Sequence, residues 1–218
     1  MISDWGSFGQ FEYGGDSVGV YEEERILVFK NVIKPHLLVS WSLTTAAVLE
    51  AKGKSVCAYP KNPREKIALD EGFGRKYKIV DGRALLEEFP EVWLSYSFLP
   101  EALSPILSES LICSPYSRSA VSAKSYSGND YHGAHRDTNP VTALLYLTEG
   151  QPTVIFKKDG SVFQPVCQPG TMIVFAGREL LHQVPANHKQ SRRVIAFNLY
   201  TSSDIWRPAG TDSLVYGE

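Results

Sequence analysis

Three side chains in the second half of the chain are of types that bind metal ions, and a cationic side chain follows them. His135 and Asp137 lie two residues apart in a stretch expected to form a strand, and alternation places such a pair on one face of a sheet. His182 follows about fifty residues later, and Arg192 ten residues after that. Two imidazoles and a carboxylate form a facial triad with open coordination positions, typical of non-haem Fe(II) oxygenases. We interpret the set as a mononuclear iron site with a pocket for an acidic co-substrate beside it.

The second half of the chain contains the elements expected to position these residues. From Ser122 onward, short runs of β-forming residues are separated by turn signals such as Asn139-Pro140 and Pro169-Gly170. The predicted strands are Ala123–Tyr126, Tyr131–Asp137, Val141–Thr148, Thr153–Lys157, Ser161–Val166, Thr171–Phe175, Leu181–Val184 and Arg192–Tyr200. Eight short strands at this spacing predict a double-stranded β-helix, a cupin-like jelly roll, whose second and seventh strands meet at one mouth.

The first half of the chain is predicted to be mainly helical, so the fold class is α+β with a mainly β core. An apolar run predicts a strand at Arg25–Val32, and apolar residues at helical spacing predict a helix at Leu37–Ala51 with Pro35 in its first turn. Residues 54–80 show no sustained period and are expected to form a loop with one short helix. Two further short helices are expected at Ala84–Phe89 and Ser104–Leu111, the latter with Ser104 as its cap and Pro105 at its first position.

The length of 218 residues fits one domain. We expect it to comprise a helical support and lid region at 1–119, a jelly-roll core at 120–202 and a C-terminal tail at 203–218. Within the first region, residues 1–20 have no clear period and are expected to form a ragged strand or a lid.

Charge and composition limit which binding partners and which cellular compartment we expect for the protein. The formal net charge is −2, so no global basic surface for nucleic acid is expected. Three cysteines occur without a CxxC pair, which favours free thiols in a reducing compartment. The sequence shows neither a signal peptide nor an apolar stretch of membrane-spanning length. We therefore expect a cytoplasmic protein without a membrane partner.

Five stretches between residues 120 and 200 follow one another as they do in a known family. They are Tyr126-Ser127-Gly128-Asn129-Asp130-Tyr131 with His135-Arg136-Asp137, Val141–Leu147, Pro169–Phe175, Leu181–Pro185 and Arg192–Phe197. Together they resemble the Fe(II)/2-oxoglutarate-dependent dioxygenases, especially the prolyl-hydroxylase-like branch. The last stretch departs from the family, since Val194 stands where the family often has Ser. The resemblance covers a little over a third of the chain.

The resemblance implies a role for each of the residues that match it. His135, Asp137 and His182 would bind Fe(II), and Arg192 would hold the far carboxylate of 2-oxoglutarate through its bidentate fork. By alternation, Arg193 would point away from the pocket. Tyr146 matches a tyrosine that donates to the same carboxylate, and Tyr126 matches one that lines the pocket.

The reaction implied is the oxidation, most often the hydroxylation, of an unactivated C–H bond of a small molecule or a peptidyl residue. It would consume O2 and 2-oxoglutarate and release succinate and CO2, with ascorbate as a reductant that keeps the iron reduced. The presence of Asp137 argues against halogenation, because related halogenases have a small residue at that position.

The substrate and the use of the metal leave alternatives open. Candidate substrate contacts near the expected mouth and tail are Asn129, Tyr131, Arg136, Arg178 and Trp206. Two other hypotheses fit the same strands: a cupin-like metal enzyme that does not use 2-oxoglutarate, and a non-enzymatic jelly-roll binding module. Replacement of Arg192 distinguishes the first of these from the dioxygenase, and metal dependence distinguishes the second.

Overall fold

The structure is a computed structural model that describes residues 23–58, 74–186 and 188–216. Its strands are β1 (Ile26–Phe29), β2 (Lys54–Ala58), β3 (Arg75–Val80), β4 (Leu111–Cys113), β5 (Val121–Gly128), β6 (Tyr131–His135), β7 (Val141–Tyr146), β8 (Val154–Phe156), β9 (Val162–Phe163), β10 (Met172–Phe175), β11 (Leu181–Val184) and β12 (His188–Thr201). Its helices are α1 (Pro35–Lys52), α2 (Gly82–Glu88), α3 (Pro90–Leu107), α4 (Ser117–Ala120) and α5 (Thr211–Tyr216). The expectation of a mainly β jelly roll with N-terminal helices is confirmed.

The strands pair antiparallel in one curled sheet of order β1-β10-β7-β12-β5-β3-β6-β11-β8-β9, to which β2 and β4 add at β3 and β12. The curl is visible in a contact between distant strands. The ring of Phe175 on β10 lies 4.8 Å from that of His182 on β11, although five strands separate β10 from β11 along the sheet. The two ends of the sheet therefore face each other across an interior.

Alternation along the strands divides the buried residues into two cores. On β12, Val194 and Ala196 belong to the core inside the roll. Ile195 and Phe197 belong to the other core, which also receives the apolar sides of α1, α2 and α3. Helices α1, α2 and α3 thus cover one face of the sheet, and the opposite face encloses the interior, as the period of two along a strand requires.

The N-terminal half contains two strands where a loop with one short helix was expected. Over the described residues of 54–80, β2 and β3 form an antiparallel pair, and β3 also pairs with β5 and β6. In β3 the side chains of Arg75, Tyr77 and Ile79 are buried, whereas Lys76 is exposed. The period of two was missed because a buried arginine occupies one of its inward positions.

The helix expected at Ser104–Leu111 is the end of the longer helix α3, and Leu111 already belongs to β4. Two prolines, Pro100 and Pro105, lie inside α3. Ser104 does not cap the helix: its hydroxyl donates to the carbonyl of Pro100 and accepts from the backbone of Leu111, at 2.6 and 3.0 Å. Because Pro100 has no N–H for the carbonyl of Tyr96, that carbonyl accepts from the Cys113 thiol at 3.7 Å.

Other strands have ends that differ by a few residues from those predicted from the sequence. The expected strand Tyr131–Asp137 ends at His135, so Asp137 lies in the loop that follows β6, and Ser161–Val166 reduces to the two residues of β9. The expectation for residues 1–20 lies outside the described residues. No helix in the described part of the chain combines the length and hydropathy that a bilayer span requires.

Candidate metal centre

The structure brings together His135 at the end of β6, Asp137 two residues beyond and His182 on β11. One nitrogen or oxygen from each side chain lies within 4.8 Å of the other two. The Nε2 atoms of His135 and His182 lie 3.7 and 3.4 Å from the two carboxylate oxygens of Asp137. The pairing of β11 with β6, in which His182 is opposite His135, produces this arrangement. Two imidazoles and one carboxylate therefore converge on a volume that one ion can fill.

Backbone carbonyls set the orientation of both imidazoles. The Nδ1 atom of His135 lies 2.7 Å from the carbonyl oxygen of Gly133, and that of His182 lies 3.0 Å from the carbonyl oxygen of Leu180. Since a carbonyl can only accept, each Nδ1 carries the proton, and the lone pair of each Nε2 faces the shared volume. Such contacts behind a ligand fix its tautomer and its direction.

The carboxylate of Asp137 is fixed by residues that the sequence did not single out. The Thr142 hydroxyl donates to its Oδ2 atom at 2.5 Å, and the same hydroxyl accepts from the side-chain amide of Asn139 at 2.7 Å. The backbone N–H of Asp137 donates to the carbonyl of Gly177 at 2.9 Å. Alternation on β7 gives a signal for Thr142, because it shares a face with Tyr146. No strand pattern in the sequence points to Gly177.

The charges of the site favour its metal-binding form. Burial lowers the pKa of His135 to about 3, with His182 contributing in the same direction. Burial alone would raise the pKa of Asp137, but His182 and then His135 hold it well below its usual range. At neutral pH the site therefore offers a neutral imidazole on His135 and an ionised carboxylate on Asp137, which are the protonation states that metal ligands require.

Arg192 lies in the same cavity and is fully buried, with an exposed fraction of 0%. Its Nη2 donates to the Thr153 hydroxyl at 2.7 Å, and its guanidinium lies 5.0 Å from the ring centre of Tyr126 and 5.2 Å from that of Tyr146. The Tyr146 hydroxyl donates to the same Thr153 hydroxyl at 3.1 Å.

The guanidinium of Arg192 retains unused donors. Its Nε and Nη1 form no hydrogen bond within the part of the chain that the structure describes. A buried guanidinium with open donors is costly unless an anion fills the fork. Arg193, the next residue, donates instead to the carbonyl of Ser42 on α1 at 3.1 Å. The two arginines thus point in opposite directions, as alternation requires.

The residues proposed to contact substrate are spread more widely. Arg136 lines the cavity, and its Nε donates to the carbonyl of Glu179 at 3.1 Å. The other four do not line it. Asn129 is exposed at the β5–β6 turn and Trp206 is 63% exposed in the C-terminal segment. Arg178 binds that segment, pairing with the Asp204 carboxylate and donating to the carbonyl of Trp206 at 2.9 Å.

The cavity also contains polar residues that the sequence analysis did not identify, among them two cations and a histidine. Arg75 and Lys124 lie on β3 and β5, and His132 on β6 stacks on the ring of His135 at 3.6 Å between ring centres. Lys124 shares a strand face with Tyr126, which is the signal that could have found it. Arg75 had none, because β3 itself was not expected.

Two comparisons with known proteins found nothing. No family model matches the chain, and no curated protein matches it in sequence.

Solved structures do match the fold. A prolyl-4-hydroxylase from Pseudomonas putida is 14% identical over 85% of this chain and 97% of its own, with a TM-score of 0.56. The epimerase SnoN from nogalamycin biosynthesis, solved with Fe3+, alpha ketoglutarate and nogalamycin RO, is 11% identical over 90% of this chain and 87% of its own, with a TM-score of 0.68. A Trichoplax adhaerens prolyl hydroxylase, bound to a hypoxia inducible factor peptide, is 14% identical over 87% of this chain and 89% of its own, with a TM-score of 0.58.

These matches confirm the resemblance drawn from the sequence at the level of the fold. The chain has the jelly roll of 2-oxoglutarate- and iron-dependent oxygenases, and it carries a His-Asp-His cluster inside that roll. At identities of 11 and 14% the particular reaction and substrate do not transfer from these proteins.

Proposed function

We propose that the protein is an Fe(II)- and 2-oxoglutarate-dependent dioxygenase that oxidises an unactivated C–H bond of a small molecule or a peptidyl residue, most often by hydroxylation. The observation that carries this proposal is the presence of two complementary sites in one cavity. One is the cluster of His135, Asp137 and His182, and the other is the buried fork of Arg192. A metal enzyme without an acidic co-substrate has no use for the second.

The residues of the cavity fit both Fe(II) and 2-oxoglutarate. Imidazole and carboxylate are the donors that Fe(II) takes in facial triads, and the second oxygen of Asp137 is occupied by the Thr142 hydroxyl at 2.5 Å. For 2-oxoglutarate, the open Nε and Nη1 of Arg192 supply donors to a carboxylate. Tyr126 and Tyr146 enclose that guanidinium and exclude water from it.

When bound, iron with 2-oxoglutarate and O2 supplies the oxidation of the C–H bond, with release of succinate and CO2. The chain supplies binding and orientation. His135, Asp137 and His182 would hold the metal from one side and leave the other side open. Arg192, with Thr153 and Tyr146 behind it, would hold the far carboxylate. The apolar side chains of Leu144, Val184 and Val194 line the cavity and keep a C–H bond away from bulk water.

Structural neighbours have been solved with both kinds of molecule named in the proposal. SnoN was solved with nogalamycin RO and the Trichoplax enzyme with a peptide. Their range, an epimerase and prolyl hydroxylases, also shows that one fold supports several reaction outcomes. The choice of hydroxylation rests on the resemblance of the motifs to the prolyl-hydroxylase-like branch.

The decisive experiment is anaerobic titration of the Fe(II)-loaded protein with 2-oxoglutarate, followed by visible absorbance. The proposal expects a metal-to-ligand charge-transfer band and, after O2 is admitted, succinate. Arg192→Met should weaken 2-oxoglutarate binding by at least about 100-fold, because it removes the buried guanidinium that would pair with the far carboxylate. His135→Ala should abolish iron binding.

Lys189→Met is the matched control for Arg192→Met, because Lys189 is an exposed cation on the same strand. It should leave the titration unchanged. Absence of the band in the wild-type protein would overturn the proposal. Equal 2-oxoglutarate affinity in the wild type and Arg192→Met would favour a metal enzyme that does not use this co-substrate.

A further inference from the structure

The cavity contains a second cation that the proposed function does not use. Lys124 lies at the middle of β5, opposite Val194 of β12 and Ile79 of β3. It shares its strand face with Ser122 and Tyr126, and all three line the cavity that holds the His-Asp-His cluster. Its side chain therefore extends into the interior of the roll rather than toward the helices.

The Lys124 side chain is half-buried. Its Nζ lies 5.8 Å from the ring centre of Tyr77, and neither a hydrogen bond nor an ion pair joins it to any residue in the three described ranges. Burial lowers the pKa of this ammonium; the charge of Asp137 opposes that shift, whereas the charges of Arg192 and Arg75 act in the same direction as burial. A partly desolvated ammonium without a partner is costly, and an anionic ligand removes that cost.

The other charges of the cavity have partners or assigned roles, and Arg75, which also lines it, has an interaction of its own. Asp137 is its acidic residue and is directed at the metal cluster, with its second oxygen bonded to Thr142. Arg207 pairs with Asp212 at 2.6 Å, Arg136 donates to a backbone carbonyl at 3.1 Å, and Arg192 is assigned to the far carboxylate of 2-oxoglutarate. After these assignments, Lys124 remains as a cation that forms no ion pair within the described residues, and the Asp137 carboxylate whose charge acts on it is directed at the metal cluster.

We propose that Lys124 binds a second carboxylate inside the cavity, separate from the carboxylate assigned to Arg192. This inference rests on the proposed function. Two molecules can supply such a carboxylate: 2-oxoglutarate through its keto-acid end, or the oxidised substrate through an acid group of its own. In either case the ammonium acts as a point charge that attracts one carboxylate oxygen.

The first arm of the test measures 2-oxoglutarate binding to the Fe(II)-loaded protein without O2, by the charge-transfer band. If the keto-acid end is the partner, Lys124→Met weakens binding about 10- to 100-fold. Lys124→Arg, which retains the charge, should restore most of that loss. Lys189→Met serves again as the control for a cation lost from an exposed site.

The second arm applies if 2-oxoglutarate binds equally well to Lys124→Met. The probes are straight-chain acids from butyrate to octanoate and their amides, added to protein saturated with Fe(II) and 2-oxoglutarate under anaerobic conditions, with calorimetry as the readout. A substrate acid site predicts that an acid binds at least about 10-fold more tightly than its amide. It also predicts that Lys124→Met abolishes this difference while Lys124→Arg retains it.

The inference is overturned if Lys124→Met changes neither the 2-oxoglutarate affinity nor the preference for acid over amide. That failure is distinct from failure of the proposed function. If the wild-type protein does not bind 2-oxoglutarate at all, the proposed function is rejected. The acid and amide probes can then still be titrated into the metal-loaded protein, where a preference that depends on Lys124 would support a carboxylate site independently.

Discussion

At the scale of single residues, the position of Asp137 depends on an absent side chain. A Cβ atom added at Gly177 would lie 2.4 Å from the Thr142 hydroxyl and 2.9 Å from the Asp137 Oδ2. Both groups are fixed by hydrogen bonds, so the methyl group would displace the carboxylate. We expect Gly177→Ala to lower metal affinity about 10- to 100-fold, measured by competition with a chromophoric chelator.

Gly150 supplies a matched control for this substitution. A Cβ atom at Gly150 would lie 2.9 Å from the Cβ of Arg192 and contacts no residue of the metal cluster. Gly150→Ala should therefore leave metal affinity unchanged and weaken 2-oxoglutarate binding. If Gly177→Ala binds metal as tightly as the wild type, Asp137 either tolerates the displacement or does not bind the metal.

At the scale of elements, Arg178, in the loop between β10 and β11, joins the C-terminal segment to the loop that follows β6. Arg178 donates to the carbonyl of Thr138, pairs with Asp204 and donates to the carbonyl of Trp206. Beyond it, Arg207 and Tyr216 line the cavity. We expect Arg178→Ala to release the segment, with faster proteolysis after Thr201 and a decrease of about 1–3 kcal/mol in the free energy of unfolding.

Arg83 is the comparison residue for Arg178. It is an exposed arginine on α2 whose side chain forms one hydrogen bond within the described residues, from its Nε to the Ser117 hydroxyl at 3.2 Å. Arg83→Ala should leave the proteolysis rate of the C-terminal segment unchanged. Equal cleavage of both variants would show that the segment is held by its other contacts, such as the hydrogen bond from Arg207 to the Ser119 hydroxyl at 2.6 Å.

Local patterns predicted the elements that carry the site, because alternation and turn residues are readable in the sequence itself. The orientation of Arg192 and Arg193 followed from β12 alone, and the strand around His182 followed from a short β-forming run. The pair β2 and β3 could not be predicted in this way. Its strands are separated by about sixteen residues, and β3 has a buried arginine that breaks the apolar period.

Helix α3 was predicted to be shorter than it is. Its two prolines read as boundaries, yet tertiary contacts retain the helix through both of them. The freed carbonyl of Tyr96 is satisfied by Cys113 of β4, and the Tyr96 hydroxyl donates to the carbonyl of Asn198 on β12 at 2.6 Å. Such partners come from distant parts of the chain, so a local pattern contains no signal for them.

At the scale of the whole molecule, the proposed ligands would join strands from different parts of the sheet. His135 lies on β6, His182 on β11 and Arg192 on β12, so Mn(II) with 2-oxoglutarate would bind only the folded chain. At 100 times the dissociation constant, a ligand adds about 2.7 kcal/mol to the free energy of unfolding. We expect a matching rise in Tm by calorimetry, reversed by a chelator and absent in His135→Ala.

The stability of the metal-free protein should also depend on pH through His188, at the start of β12. This side chain is buried, with its ring 5.7 Å from that of Tyr126, and its pKa is lowered by burial and then by the charge of Arg192. Because the folded-state pKa lies below the unfolded value of about 6.5, the unfolded chain takes up the proton first. The free energy of unfolding must therefore fall as the pH falls below about 6.5, by at most about 1.4 kcal/mol per pH unit for this group.

Two other buried histidines with lowered pKa values, His132 and His135, act in the same direction, so the contribution of His188 is the difference between two profiles. Tm measured from pH 7.5 to 5.5 should decline less steeply in His188→Gln than in the wild type. His36→Gln, which changes an exposed residue of α1, should give a profile parallel to the wild type. A His188→Gln profile parallel to the wild type would mean that His188 binds its proton equally well in both states. The pocket around Arg192 would then tolerate a second positive charge, which the burial of both side chains argues against.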